Sequence, residues 1–130
     1  MELEIKGKVY SFKFGVGFLK EINSRYKEFV QVGVQLPVGF KYMVARMLDE
    51  DVEAIEDMLI TANKTEKDRV PKKDLDEYLE SDDTDLHELS LKIRDFLLTA
   101  NVCKKSMTEI LAALEKKEKD QEKEENQAEN

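Results

Sequence analysis

One histidine, one cysteine and two short acidic clusters are the side chains of this chain whose chemistry could go beyond packing. His87 stands beside Asp85 and Glu88, a setting in which an imidazole can act as a general base or a metal ligand. No second His or Cys lies at ligand spacing from it, so a surface histidine in the first turn of a helix accounts for it. Cys103 has Lys104 and Lys105 as neighbours, and nearby cations lower a thiol pKa. A nucleophile also needs a base, and a semi-buried small residue at a helix junction is the sufficient reading. The acidic stretch Asp49 to Asp57 lacks the alternating ligands and central glycine of a calcium loop. Asp82, Asp83 and Asp85 fit a helix-capping cluster better than paired catalytic carboxylates. Gly15-Val16-Gly17 is a fragment of a dinucleotide fingerprint with Lys20 in place of the third glycine, and it follows a hairpin instead of a parallel strand. No catalytic residue, cofactor or metal is therefore expected, and the chain does not read as an enzyme.

Composition narrows the function further. At 130 residues one modest core is expected, and Glu115 to Asn130 contributes almost nothing apolar to it. Residues 1–114 are read as a single domain and 115–130 as a charged, disordered tail. No apolar run approaches the ~20 residues of a membrane span, and a strand pattern stands where a signal peptide would lie. A lone cysteine suits a reducing compartment, so a soluble cytosolic protein without membrane contact is expected. The net charge of −8 is uneven: Met1 to Leu48 carries eight basic and four acidic residues, and the remainder thirteen and twenty-five. Such halves attract, either within one molecule or head to tail between copies, which closes rings or extends filaments. Nucleic acid is excluded as a partner, because no basic stripe interleaved with aromatics survives the acidic balance.

The elements begin with a hairpin. A turn at Gly7-Lys8 pairs Ile5 with Tyr10, Leu3 with Phe12 and Met1 with Phe14; a turn at Lys6-Gly7 shifts the pairing by two and keeps the same apolar face. Two strands alone are marginal, so this face, with Leu3, Ile5, Phe12 and Phe14, calls for a helical layer, and its outer edges invite another strand. A helix follows Gly17, with Phe18, Leu19, Ile22, Tyr26 and Phe29 at helical spacing. Val30 to Leu36 alternates with period two but carries Gly33 at its centre, and reads as a loop of extended character. Pro37 suits a first helical turn before Phe40, Met43, Val44, Met47 and Leu48. The next helix carries Val52, Ile55, Met58, Leu59 and Ala62 and stops at Asn63-Lys64. A short helix after Pro71 bears Leu75, Tyr78 and Leu79; Ser81 to Thr84 ends it and caps one bearing Leu86, Leu89, Ile93, Phe96, Leu97 and Ala100. Ser106 to Glu109 is a capping box that predicts a last helix with Ile110, Leu111 and Leu114. The fold class is mainly α (α+β): an N-terminal β-hairpin packed on a bundle of about five to six helices.

Two readings compete at Asn101. Leu89, Ile93, Phe96, Ala100, Cys103, Met107, Ile110 and Leu114 form an unbroken heptad seam, which a continuous helix could use to dimerise. Against it, Ile55 to Asn63 resembles Ile93 to Asn101, and if the first Asn ends a helix the second does so by the same logic. Met43, Met47, Met58 and Met107 lie on apolar faces, as core or as a soft groove for a partner helix.

In their order and spacing, the hairpin of Leu3 to Phe14, Gly15 to Tyr26, Leu59-Ile-Thr-Ala-Asn-Lys-Thr65, Asp74-Leu-Asp-Glu-Tyr78 and the Lys/Glu-rich end resemble the tail assembly chaperones of long-tailed phages and prophages of Gram-positive bacteria. The likeness runs to about Lys117. It implies a small, non-catalytic, self-associating helical protein that coats the tape measure protein while the tail tube assembles, with the major tail protein as a further candidate partner. It also implies a host cytoplasmic location, absence from the mature virion, and a longer form made by frameshifting near the end of the frame. A tape measure protein is long, helical and apolar, so covering it takes many copies of an adaptable apolar face. Met107, Ile110, Leu111 and Leu114 on the last helix are the candidate contact face, joined for self-association by Leu3, Ile5, Phe12 and Phe14. The alternative is a generic helical adaptor dimerising through the heptad seam.

Overall fold

A computed structural model describes residues 1–31 and 34–128. Strands β1 (Glu2–Ile5) and β2 (Lys8–Ser11) form the hairpin, with Leu3 opposite Tyr10 and Ile5 opposite Lys8. The turn is therefore Lys6-Gly7. Both residues have positive φ, 51° and 77°, as a type I′ turn requires, and this selects the shorter of the two registers. Leu3, Ile5, Tyr10 and Phe12 are buried together on one side.

Helix α1 (Val16–Arg25) buries Phe18 and Ile22 in the same core. It stops sooner than the spacing of Tyr26 and Phe29 suggests, because Tyr26 takes extended backbone and Phe29 belongs to β3 (Lys27–Gln31). β3 pairs antiparallel with β4 (Val34–Pro37), Lys27 opposite Pro37, so the segment read as a loop carries a second hairpin. Gly33 lies outside the described residues. Pro37 closes a strand instead of opening a helix, and α2 (Gly39–Leu48) starts two residues later. Its first turn is capped from α1: Asn23 Oδ1 accepts from the Phe40 amide at 2.9 Å.

α3 (Val52–Asn63), α4 (Lys72–Glu80) and α5 (Leu86–Thr99) follow the apolar spacing closely. Asp51 caps α3, accepting from the amides of Glu53 and Ala54. Asp85, one residue beyond Ser81 to Thr84, caps α5 by accepting from the Glu88 amide. The helix does break near Asn101, at Ala100, whose ψ of 122° leaves the helical region. α6 (Lys104–Ala128) then begins ahead of the capping box, the amides of Cys103 and Lys104 both donating to the Ala100 carbonyl.

All the helices and the first hairpin share one core. Phe14 meets Phe18 edge to face at 5.0 Å, and Phe18 meets Phe40 at 6.5 Å. The charge asymmetry is used within the molecule: Lys6 pairs with Asp74 and Glu77, Lys8 with Asp68, Arg25 with Asp57, and Arg46 with Asp51. Packing ends at Leu114. From Glu115 to Gln127 every side chain is exposed, and the stretch read as disordered carries helical backbone as far as Ala128.

Candidate partner-binding groove

The break between α5 and α6 faces the passage from β2 into α1, and a groove of about 560 Å³ lies between them. Three of its walls are apolar side chains left open to solvent: Val16 at 54%, Phe96 at 39% and Val102 at 37% exposure. Phe12, Phe14 and Phe18, all buried, form the floor, and Met1, Lys13, Thr65, Thr99 and Asn101 line the rest.

Local chemistry fixes both banks. The Lys13 amide donates to the Ala62 carbonyl at 2.8 Å, fastening the hairpin exit to the end of α3. Asn63 strengthens that anchor: its Nδ2 donates to the carbonyls of Ser11 and Asp68, each at 3.0 Å, and its Oδ1 accepts from the Val70 amide at 2.9 Å. The Met1 ammonium donates to the Phe12 carbonyl at 3.1 Å. On the opposite bank the Cys103 thiol points at the Phe14 carbonyl, 3.8 Å away, joining the helix break to the hairpin exit. Burial pushes that thiol up to about 11, which disfavours the thiolate that a nucleophile needs.

An apolar concavity with half-exposed aromatic and β-branched walls gains free energy by removing apolar side chains from water, at ~25 cal/mol per Å² covered. What such a concavity offers is binding.

The residues picked out in the sequence fall elsewhere, with two exceptions. Phe12 and Phe14 reach the groove floor. Leu3, Ile5, Met107 and Ile110 are buried in the core, and Leu111 and Leu114 pack half-buried against it, so none of these six presents an open face. Met43, Met47, Met58 and Met107 are fully buried, which removes the soft methionine groove. The heptad seam is interrupted at Ala100, and Leu89, Ile93, Cys103, Met107 and Ile110 are spent on the chain's own core, leaving no continuous dimer seam. Val16, Phe96 and Val102 were missed. The signal was available for Phe96: a seam residue loses its partner helix once the seam breaks beside it.

His87 Nδ1 sits 2.5 Å from Glu50 Oε1 at the surface, a two-residue contact. Among the described residues no group of three or more His, Cys, Asp and Glu could hold a metal. Between α3 and α4, Glu56 is raised to about 7 by its hydrogen bond with Asp76, by burial and by the Asp76 charge. Asp76 is held down by that same bond and by Lys72, whose Nζ lies 3.3 Å from Asp76 and 3.8 Å from Glu56. Among the described residues no helix is long and apolar enough to cross a membrane.

A family model described as phage tail assembly chaperone protein, TAC, matches residues 2–123. No curated protein and no solved structure matches the chain significantly.

Proposed function

Because the chain belongs to the phage tail assembly chaperone family, with its non-catalytic part in tail assembly and its interaction with phage tail proteins, we propose that it coats the tape measure protein and keeps it soluble until the tail tube closes around it. The observation that carries this reading is the groove at the α5–α6 break, an open apolar concavity walled by exposed Val16, Phe96 and Val102. A long apolar helical client would offer it repeated anchors, each weak enough to be shed as the tube polymerises. Many copies are then needed along one client, so self-association into a ring or filament belongs to the same proposal. The action takes place in the host cytoplasm, and the chaperone leaves before the virion is complete; the major tail protein is the partner that displaces it.

A second face is proposed on α6. Met107, Ile110, Leu111 and Leu114 reach a client only if α6 swings out at Ala100, and Leu3, Ile5, Phe12 and Phe14 would be the surface then uncovered. The exposed stretch from Glu115 leaves this helix anchored by its first three turns alone.

Co-expression with the long helical protein encoded nearby tests the reading. The client should become soluble and co-purify, and light scattering of the chaperone alone should give a mass several times that of one chain. An insoluble client that never co-purifies would end the proposal.

A further inference from the structure

The groove does not stop at Phe96. The same ring closes one end of a shallower trough of about 330 Å³, which it lines with Glu88, Leu91, Lys92 and Asp95. With Thr99 from the groove, these α5 residues recur at i, i+3, i+4, i+7, i+8 and i+11, which places them on one stripe of the helix. The stripe runs ~16 Å, about three helical turns.

Its two ends differ in charge. Lys13 lines the groove beside the C-terminal end of α5, and Glu88 lies in the first turn, at the far end of the trough. Among the described residues neither side chain takes part in a hydrogen bond or ion pair. The intervening charges are occupied: Lys92 donates to the Glu2 carbonyl at 3.1 Å, and Asp95 is held by Arg94 at 2.9 Å. Exposed Asp82 and Asp83 add negative charge near Glu88, and exposed Lys104 and Lys105 follow the break at the other end. α5's own dipole opposes this gradient by about half a charge at each end, less than the side chains supply.

Resting on the tape measure reading, we propose that this track seats one apolar face of a client helix about three turns long, with the client's N-terminus toward Glu88 and its C-terminus toward Lys13. A helix carries partial positive charge at its N-terminus and partial negative charge at its C-terminus, so the unpaired side chains at the two ends fix its direction while Phe96, Val102 and Val16 anchor it. Each chaperone copy would then read the client's chain direction, and successive copies would coat it with one polarity.

The experiment titrates the isotopically labelled chain with a capped, uncharged synthetic helix bearing leucines at i, i+3, i+4 and i+7, carrying a nitroxide at either end. An N-terminal nitroxide should broaden amides around Glu88, and a C-terminal one those around Lys13 and Val102. Phe96→Gln, at an open position, should weaken binding about tenfold, and Lys13→Glu combined with Glu88→Lys about fivefold. Reversed or equal broadening, broadening centred on α6, or groove shifts that grow with chain concentration in the absence of peptide would overturn the track. If the chain solubilises the tape measure protein and Phe96→Gln does so equally well, the track fails while the chaperone reading stands. If the unaltered chain fails to solubilise it, the chaperone reading itself has failed.

Discussion

Gly39 lies against the backbone of Ile22 so closely that a Cβ built on it would stand 2.0 Å from the Ile22 carbonyl oxygen. No flexible side chain can yield there, so α1 and α2 must separate to admit even a methyl group. Gly39→Ala should cost about 3 kcal/mol or more, read as a lower urea midpoint at an unchanged slope. A midpoint equal to that of the unaltered chain would show that the two helices can part freely.

Asn63 joins three segments through one buried amide. Replacing it with Ala strands two carbonyls and one amide, and about 2–4 kcal/mol of stability should go with them. The Val70 amide should also exchange faster relative to α5 amides, a local signature that a purely global loss would not give.

Glu56 sits at about 7 in the fold against an ordinary 4.5. Between those values the folded chain holds a proton that the unfolded chain has released, so stability falls as pH rises from about 4.5 to 7 and levels off above. Asp76 is shifted the other way, and its contribution is lost only below its ordinary range. Urea midpoints across pH 4 to 8 should show the decline, and Glu56→Gln should flatten it. An equally steep decline in the variant would place the proton elsewhere.

Cys103 is buried, with its pKa raised to about 11, and reacts only when α6 lifts. At pH 8 a disulfide-exchange reagent should label it at least a hundredfold more slowly than the unfolded chain, since the reactive thiolate is both scarce and covered. Client binding that draws α6 away should speed the reaction, whereas binding confined to the groove should leave it slow.

Removing residues 115–130 should leave the unfolding free energy read from urea melts within about 0.5 kcal/mol of the full chain, because every side chain described there is exposed. A larger loss would mean that this stretch touches the core in solution.

Much of this architecture was legible because its apolar residues repeat at helical or strand spacing. Phe40 to Leu48, Ile55 to Ala62 and Leu75 to Leu79 each bury the stripe that their spacing marks. The echo between Ile55–Asn63 and Ile93–Asn101 pointed to the break at Ala100, though it concealed a difference: Met58 is buried where its counterpart Phe96 is open. The failures share a cause. α1 ends at Arg25 because the chain turns into β3, and two aromatic residues at helical spacing cannot announce that turn. Glu56 meets Asp76 across two helices, Asn23 caps α2 from α1, and one groove is lined by Val16 and Phe96 from eighty residues apart. Those relations exist only after packing.

The seat of the chain's first residue has a practical side. Met1 lines the groove, with its nitrogen held by the Phe12 carbonyl, so any purification handle fused ahead of it would emerge at the mouth of the cavity and obstruct whatever docks there. A handle placed beyond α6 would hang clear on a charged mast, and pull-down results from the two fusions should disagree.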